Sequence, residues 1–287
     1  MCDAEIILSA GSINTPKILT LSGIGDPDEL NKLGIKTNIA NKNIGKNLQD
    51  HLTVNISATV EGHNTFYEEL RGLNVIKHLI NYYRNKPSLF SYAAADVGVF
   101  FKLDENSQNP DFQIHFAPGA GQYHKDGKMR PISGITASVC QLRPFSRGSV
   151  KLQTANYEDD PIIDYGYLID SRDREILLKG IKIVRQFFET TVMHNLNAKE
   201  VAPGIDVTND TELEKFLKAT ALSVYHPVGT CKMGLDSTSV VDPELRVHGV
   251  EGLRVADASI LPQLISGNTN AICNVIGVKC ADMVERN

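Results

Sequence analysis

The stretch Glu5-Ile6-Ile7-Leu8-Ser9-Ala10-Gly11-Ser12-Ile13-Asn14-Thr15-Pro16-Lys17-Ile18-Leu19-Thr20-Leu21-Ser22-Gly23-Ile24-Gly25 decides the fold class. Glu5 to Ala10 reads as a short, mostly buried strand ended by Gly11. Thr15-Pro16 fits a helix start, with Thr as cap and Pro in the first turn, and Gly23 fits the stop. Asp26-Pro27-Asp28-Glu29 repeats the device, with Glu29 three residues after a capping Asp26, and Gly34 closes that helix. A chain that opens strand, helix, helix is α/β material. Gly45-Lys46-Asn47-Leu48-Gln49-Asp50-His51 then reads as a polar loop.

The middle of the chain changes character. Val75, Leu79 and Tyr82 share one face of an expected helix. Phe112, Ile114 and Phe116 alternate with polar neighbours, as a half-buried strand does, and Val150 and Leu152 alternate likewise after Ser146-Arg147-Gly148. Leu177, Ile181, Val184 and Phe188 give a long amphipathic helix opened by Asp170-Ser171. Sheet and helix are segregated here, which is α+β. Near the end, Arg246-Val247 and Leu253 to Val255 flank a His248-Gly249 turn. Ala271 to Val284 reads as a helix with Ile272, Ile276, Cys280 and Met283 along one side.

Composition narrows the class. The 287 residues are 42% apolar and 22% charged, enough for a sizeable core. A net charge of −5 gives no basic surface for nucleic acid. No apolar run approaches the ~18 residues a membrane helix needs, and Met1-Cys2-Asp3-Ala4-Glu5 lacks the basic start and apolar region of a signal peptide. The five cysteines, Cys2, Cys140, Cys231, Cys273 and Cys280, are odd in number and lack CxxC spacing. That argues against a disulfide framework or a metal site. Cys273 and Cys280 lie two turns apart on the expected helix, ~10 Å between Cα atoms, beyond disulfide reach. Free thiols are expected, with Cys231 a packing residue.

Four segments carry the chemistry: Gly11 to Gly25; Tyr225-His226-Pro227-Val228-Gly229-Thr230; Leu253-Arg254-Val255-Ala256-Asp257-Ala258-Ser259; and Ser266-Gly267-Asn268-Thr269-Asn270. Each has an ordinary reading. A lone His is usually a surface or satisfied core residue. Asn before a helix is usually a cap, and Asp after a strand is usually a turn residue. Taken together and in order, with Gly45 to His51, they resemble the glucose–methanol–choline (GMC) family of flavin-dependent alcohol oxidoreductases.

The resemblance implies a fold: α/β FAD-binding portions at 1–51 and 221–287, with an inserted α+β substrate-binding domain at 52–220. It implies FAD as cofactor and oxidation of an alcohol, with hydride passing to the flavin. His226 would take the hydroxyl proton or hydrogen-bond the developing alkoxide, and Asn268 would hold the same oxygen. Asp257, Ala258, Asn268, Thr269 and Asn270 would line the cofactor. Gln113 and His115 would line the substrate pocket, against the ordinary reading of both as plain strand positions. The partners implied are a small-molecule alcohol and an electron acceptor, either oxygen or a quinone- or dye-type molecule.

The resemblance covers the family's C-terminal part nearly end to end. No segment fits G-x-G-x-x-G, so the cofactor pocket is expected to be incomplete and to need the family's N-terminal segment. The first strand is expected to lack parallel neighbours. Two other readings stand beside this one. One is a truncated, non-catalytic GMC fragment. The other is a GMC-fold lyase or photodecarboxylase; the latter is disfavoured because Ala95 and His115 fall where that enzyme type carries Cys and Arg.

Overall fold

The computed structural model describes residues 4–93, 95, 97–123 and 129–286. These form two compact units. Unit 1 comprises Met1–His51, Leu142–Asp170 and Ser223–Asn287; unit 2 comprises Leu52–Gln141 and Ser171–Leu222. Residues 142–170 therefore pack with unit 1, whereas the sequence reading placed them within 52–220. The reason is backbone pairing. Leu48 bridges Gly148, and the Val150 N–H donates to the Gly45 carbonyl at 2.7 Å.

In unit 1, the strand Ile6–Leu8 pairs in parallel with Leu253–Val255, so it does have a parallel neighbour. It is not buried: Ile6 and Ile7 are 52% and 42% exposed. The helix after it spans Gly11–Leu21 and begins four residues before the expected Thr15 cap. Its first donor is satisfied from far along the chain. The Asp257 carboxylate accepts from Gly11 N at 2.9 Å and from Thr15 Oγ1 at 2.6 Å. Pro16 thus lies inside the helix, where it cannot donate to the Ser12 carbonyl. Thr230 Oγ1 takes that carbonyl instead, at 2.7 Å. The second helix, Pro27–Lys32, follows the sequence reading: Asp26 caps it by accepting from Asp28 N, and Gly34 closes it at φ +71°.

Leu19, Val228, Cys231, Val240, Val241, Val255, Ile260, Ile276 and Cys280 belong to the core of unit 1. The helix Asn270–Glu285 turns Ile276 and Cys280 into this core, with Ile272 and Met283 partly buried against it. Cys140, Cys231, Cys273 and Cys280 are free thiols; Cys2 lies outside the described residues. Burial pushes the Cys231 thiol pKa up, which suits a packing residue.

Unit 2 is built on an antiparallel sheet whose strands run in the order Lys199–Ala202, Leu52–Thr59, Gly134–Gln141, Phe112–Ala117, Val97–Phe101. Val54, Ile56, Ala137, Val139, Phe112 and Ile114 are all buried and lie in register on one face. That face meets the helix Ser171–Phe188, which buries Leu177, Ile181, Val184 and Phe188 as the periodicity requires. Gly180 permits the contact, since a Cβ there would come 2.6 Å from Val139 Cγ1. The opposite face carries cross-strand rows of mostly polar residues: Gln113–Cys140–Thr53, His115–Ser138–Asn55 and Ala117–Thr136–Ser57. The helix expected around Val75, Leu79 and Tyr82 forms over Leu73–Tyr83, but none of its residues is buried.

Gly45 fixes the entry to the Gly45–His51 segment. It sits at φ +77°, and a Cβ there would run into the Val150 carbonyl. Gly45→Ala should therefore lower stability by about 2 kcal/mol or more, from left-handed strain plus overpacking. Urea unfolding followed by circular dichroism measures this, and an unchanged midpoint would contradict it.

Candidate active site

The segment expected as a polar loop is buried over its second half. Gln49, Asp50 and His51 are each 3% exposed or less. Gln49 exchanges backbone hydrogen bonds with Val228, at 3.0 and 2.8 Å. Its side chain accepts from Leu264 N at 3.1 Å and donates to the Pro262 carbonyl at 3.2 Å. One residue therefore fastens both the His226 loop and the chain leading to Asn268.

Asp50 positions the His226 backbone. Its Oδ1 accepts from His226 N at 2.7 Å, while Oδ2 accepts from Tyr167 Oη and Ser223 Oγ, each at 2.5 Å. Ser223 Oγ in turn accepts from Tyr225 N at 2.9 Å. Tyr225 needs this support because it holds φ +62°, a conformation costly for a bulky residue. Gly229 follows at φ +94°, where a Cβ would meet the Asn47 carbonyl at 2.6 Å. Burial, then the hydrogen bond to Asp50, pushes the Tyr167 phenol pKa far up, so Tyr167 stays a donor.

His51 sets the proton on His226. The His51 Nε2 lies 3.1 Å from both the Leu142 and Ile265 carbonyl oxygens. Carbonyls only accept, so Nε2 carries hydrogen. Burial first, and then the neighbouring His226, holds the His51 pKa down at about 4, so the ring is neutral near pH 7 and its Nδ1 is an acceptor. His226 Nδ1 lies 2.9 Å from that Nδ1, with the rings nearly perpendicular at 83°. It must therefore donate. The His226 proton sits on Nδ1, and the lone pair of the neutral ring sits on Nε2.

The other sequence candidates fall in two places. Asn268, Thr269 and Asn270 stand at the start of the Asn270–Glu285 helix, with Asn268 and Asn270 exposed. The N-cap is Thr269, without a side-chain cap bond, so Asn268 is not the cap. This helix start leaves N–H groups and a positive dipole end for an acceptor. Asp257 spends its carboxylate inside the protein, on Gly11, Thr15 and the Ser259 N–H. The main-chain groups of Asp257 and Ala258 are what that turn can offer a cofactor. Next to it, the buried Ser12 Oγ has no partner among the described residues. An orphaned hydroxyl at one helix start and an uncapped second helix fit an anionic, polyhydroxylated cofactor such as FAD. Gln113 and His115 lie on the polar sheet face of unit 2, and burial lowers the His115 pKa. Among the described residues, no cluster could hold a metal ion, and no helix is long and apolar enough to cross a membrane.

Models of the GMC oxidoreductase family match residues 2–53 and 144–277. The chain is 39% identical to the alcohol dehydrogenase [acceptor] of Pseudomonas putida, over 98% of this chain and 51% of that protein. It is 37% identical to the mitochondrial choline dehydrogenase of Homo sapiens, over 98% of this chain and 48% of that one. The structure overlays on crystalline formate oxidase with a TM-score of 0.91 at 27% identity, covering 100% of this chain and 55% of that chain. The chain belongs to the GMC oxidoreductase family, whose members are FAD-dependent flavoproteins of mixed α/β fold. It spans about half the length of the curated relatives it matches.

Sequence reasoning missed Asp50, His51, Tyr167 and Ser223. The one available signal was an Asp-His pair in a loop, which looks the same whether buried or exposed.

The His51 pKa sets a pH dependence of stability. It lies near 4 when folded against an ordinary 6.5. Between these values the unfolded chain binds more protons, so the contribution is complete above about pH 6.5 and is lost as pH falls toward 4. The thermal midpoint should fall across that window, and the fall should flatten in His51→Asn. Calorimetry at pH 7, 5.5 and 4.5 checks this, and equal slopes in both proteins would contradict it.

Proposed function

We propose that this chain is the catalytic C-terminal portion of an FAD-dependent alcohol oxidoreductase. Unit 1 contributes to the FAD-binding domain and unit 2 is the inserted substrate domain. FAD supplies the hydride acceptor. The observation that carries the reading is the 2.9 Å contact between the two Nδ1 atoms, which makes His226 Nε2 a neutral base directed by a buried partner.

His226 Nε2 accepts the substrate hydroxyl proton. The imidazolium so formed keeps donating from Nδ1 to neutral His51, whose depressed pKa stops the proton from travelling on. Asp50 holds the His226 backbone at the required depth. The Asn268 amide hydrogen-bonds the same substrate oxygen. Asp257, Ala258, Thr269 and Asn270 would hold FAD through main-chain groups and the helix start. Gln113 and His115 face the substrate. The electron acceptor of the bound cofactor would be oxygen or a quinone- or dye-type molecule. The relatives named for alcohol and choline support the general reaction.

Cofactor retention is tested by colour. The chain alone should not retain stoichiometric FAD, for want of the loop whose N–H groups hold the diphosphate. A monomeric yellow preparation would contradict that. In the enzyme completed by the family's N-terminal half, His226→Ala should lower kcat by on the order of 10²–10⁴ while flavin still binds. The rise of activity with pH should vanish in that variant. Asn268→Ala should slow the chemical step and disturb the flavin spectrum more. Stopped-flow flavin reduction with protonated and carbon-deuterated alcohol reads all three. Parent-rate reduction in His226→Ala would remove this residue from the mechanism.

A further inference from the structure

We infer that the helix Leu73–Tyr83 of unit 2 lays its outward face on a membrane surface that carries anionic lipid. The inference goes beyond the oxidoreductase reading and stands without it.

The helix is inverted. A helix on the surface of a soluble protein turns its apolar stripe to the core. Here the polar row Asn74, His78 and Asn81 is the one turned to the protein. Asn74 donates to the Glu68 carbonyl at 3.2 Å, and Asn81 to the Pro87 carbonyl at 3.4 Å. His78 Nε2 meets the Glu69 carboxylate at 3.0 Å, while its Nδ1 accepts from Leu89 N at 3.3 Å. The apolar row Leu73, Ile76, Ile80 and Tyr83 faces away, each residue between 49% and 82% exposed. An apolar stripe turned outward marks an interaction surface.

Two observations choose the partner. The first is charge. The chain carries −5 overall, yet Leu70 to Ala95 holds Arg71, Lys77, Arg84 and Lys86 and no acidic residue. The acidic residue that follows, Asp96, lies outside the described residues. All four cations are exposed. Glu68 and Glu69, just before this stretch, are engaged by Thr65 and His78. Anionic headgroups attract such a basic cluster. The second observation is the place of Lys77, beside Ile76 and one turn from Leu73, within the apolar row. The centre of a protein–protein interface is depleted in lysine. At a bilayer surface the lysine stem stays with the apolar row while the ammonium reaches the headgroups. Tyr82 and Tyr83 share one recess with Lys86, and tyrosine rings suit the headgroup level. A helix of 11 residues is too short to cross a bilayer, so it lies in the interface.

Vesicle flotation of the full chain tests this. The chain should float with vesicles of equimolar phosphatidylglycerol and phosphatidylcholine, and stay behind with pure phosphatidylcholine. Added salt should weaken the binding. Ile76→Ser combined with Ile80→Ser should weaken it about tenfold or more, and Lys77→Glu combined with Lys86→Glu about tenfold or more. Val278→Ser, at an exposed position of the Asn270–Glu285 helix, controls for general stickiness and should bind as the parent does. The lipid and salt comparisons use the parent alone, so they decide even where a variant fails to fold. No flotation, equal binding to both vesicle types, or parent affinity in either paired variant would overturn the inference. So would a loss of equal size in Val278→Ser. A dimer in sedimentation velocity that the Ile76→Ser, Ile80→Ser pair dissolves would assign the face to a second copy and overturn it as well. Flavin reduction in the completed enzyme is measured without vesicles, so the two readings fail separately.

Discussion

The hydrogen bonds of Asp50 are the constraint on which unit 1 depends. One buried carboxylate accepts from the His226 backbone, the Tyr167 phenol and the Ser223 hydroxyl. Three donors around one carboxylate satisfy a charge that could not otherwise stay buried. They also hold Tyr225 in a backbone conformation it would leave if released. The neighbouring residues extend the same logic. Gln49 and His51 tie the His226 loop to the Pro262–Ile265 backbone, so the positions of His226 and Asn268 are set by a single short segment.

Electrostatics and packing act together at His51. A histidine sealed from water and flanked by two carbonyls has one stable state, neutral with Nε2 protonated. That choice propagates across one hydrogen bond and determines which nitrogen of His226 can act as a base. This neutral partner excludes the wrong tautomer of His226.

Legibility in the sequence followed the distance between partners. The Ser171–Phe188 helix could be read because its apolar period is local, and each expected core position is buried. Asp26 could be read as a cap because its target lies two residues on. Thr15 was misread because the helix start it neighbours is served by Asp257, 246 residues along the chain. Asp50 and His51 looked like loop residues because their partners come from positions 142, 167, 223, 226 and 265. Residues 142–170 were assigned to the wrong unit for the same reason: the backbone pairing to Gly45 and Leu48 has no local signature. The motif segments singled out His226 and Asn268, but the His226 tautomer is visible only once His51 is seen beside it.

The parallel pairing of Ile6–Leu8 with Leu253–Val255 has a consequence for how the chain is made. Ile6–Leu8 is translated well before Leu253–Val255 and must wait for that partner. Unit 2, whose segments end at Leu222, has all its pieces before that partner exists. During synthesis the Ile6–Leu8 strand, with Ile6 and Ile7 already more than a third exposed when paired, is an open edge awaiting closure. Loop-closure entropy of this range slows the step further. Unit 1 is thus completed after unit 2, and the geometry around His226 comes into being only when the segment after Leu222 arrives.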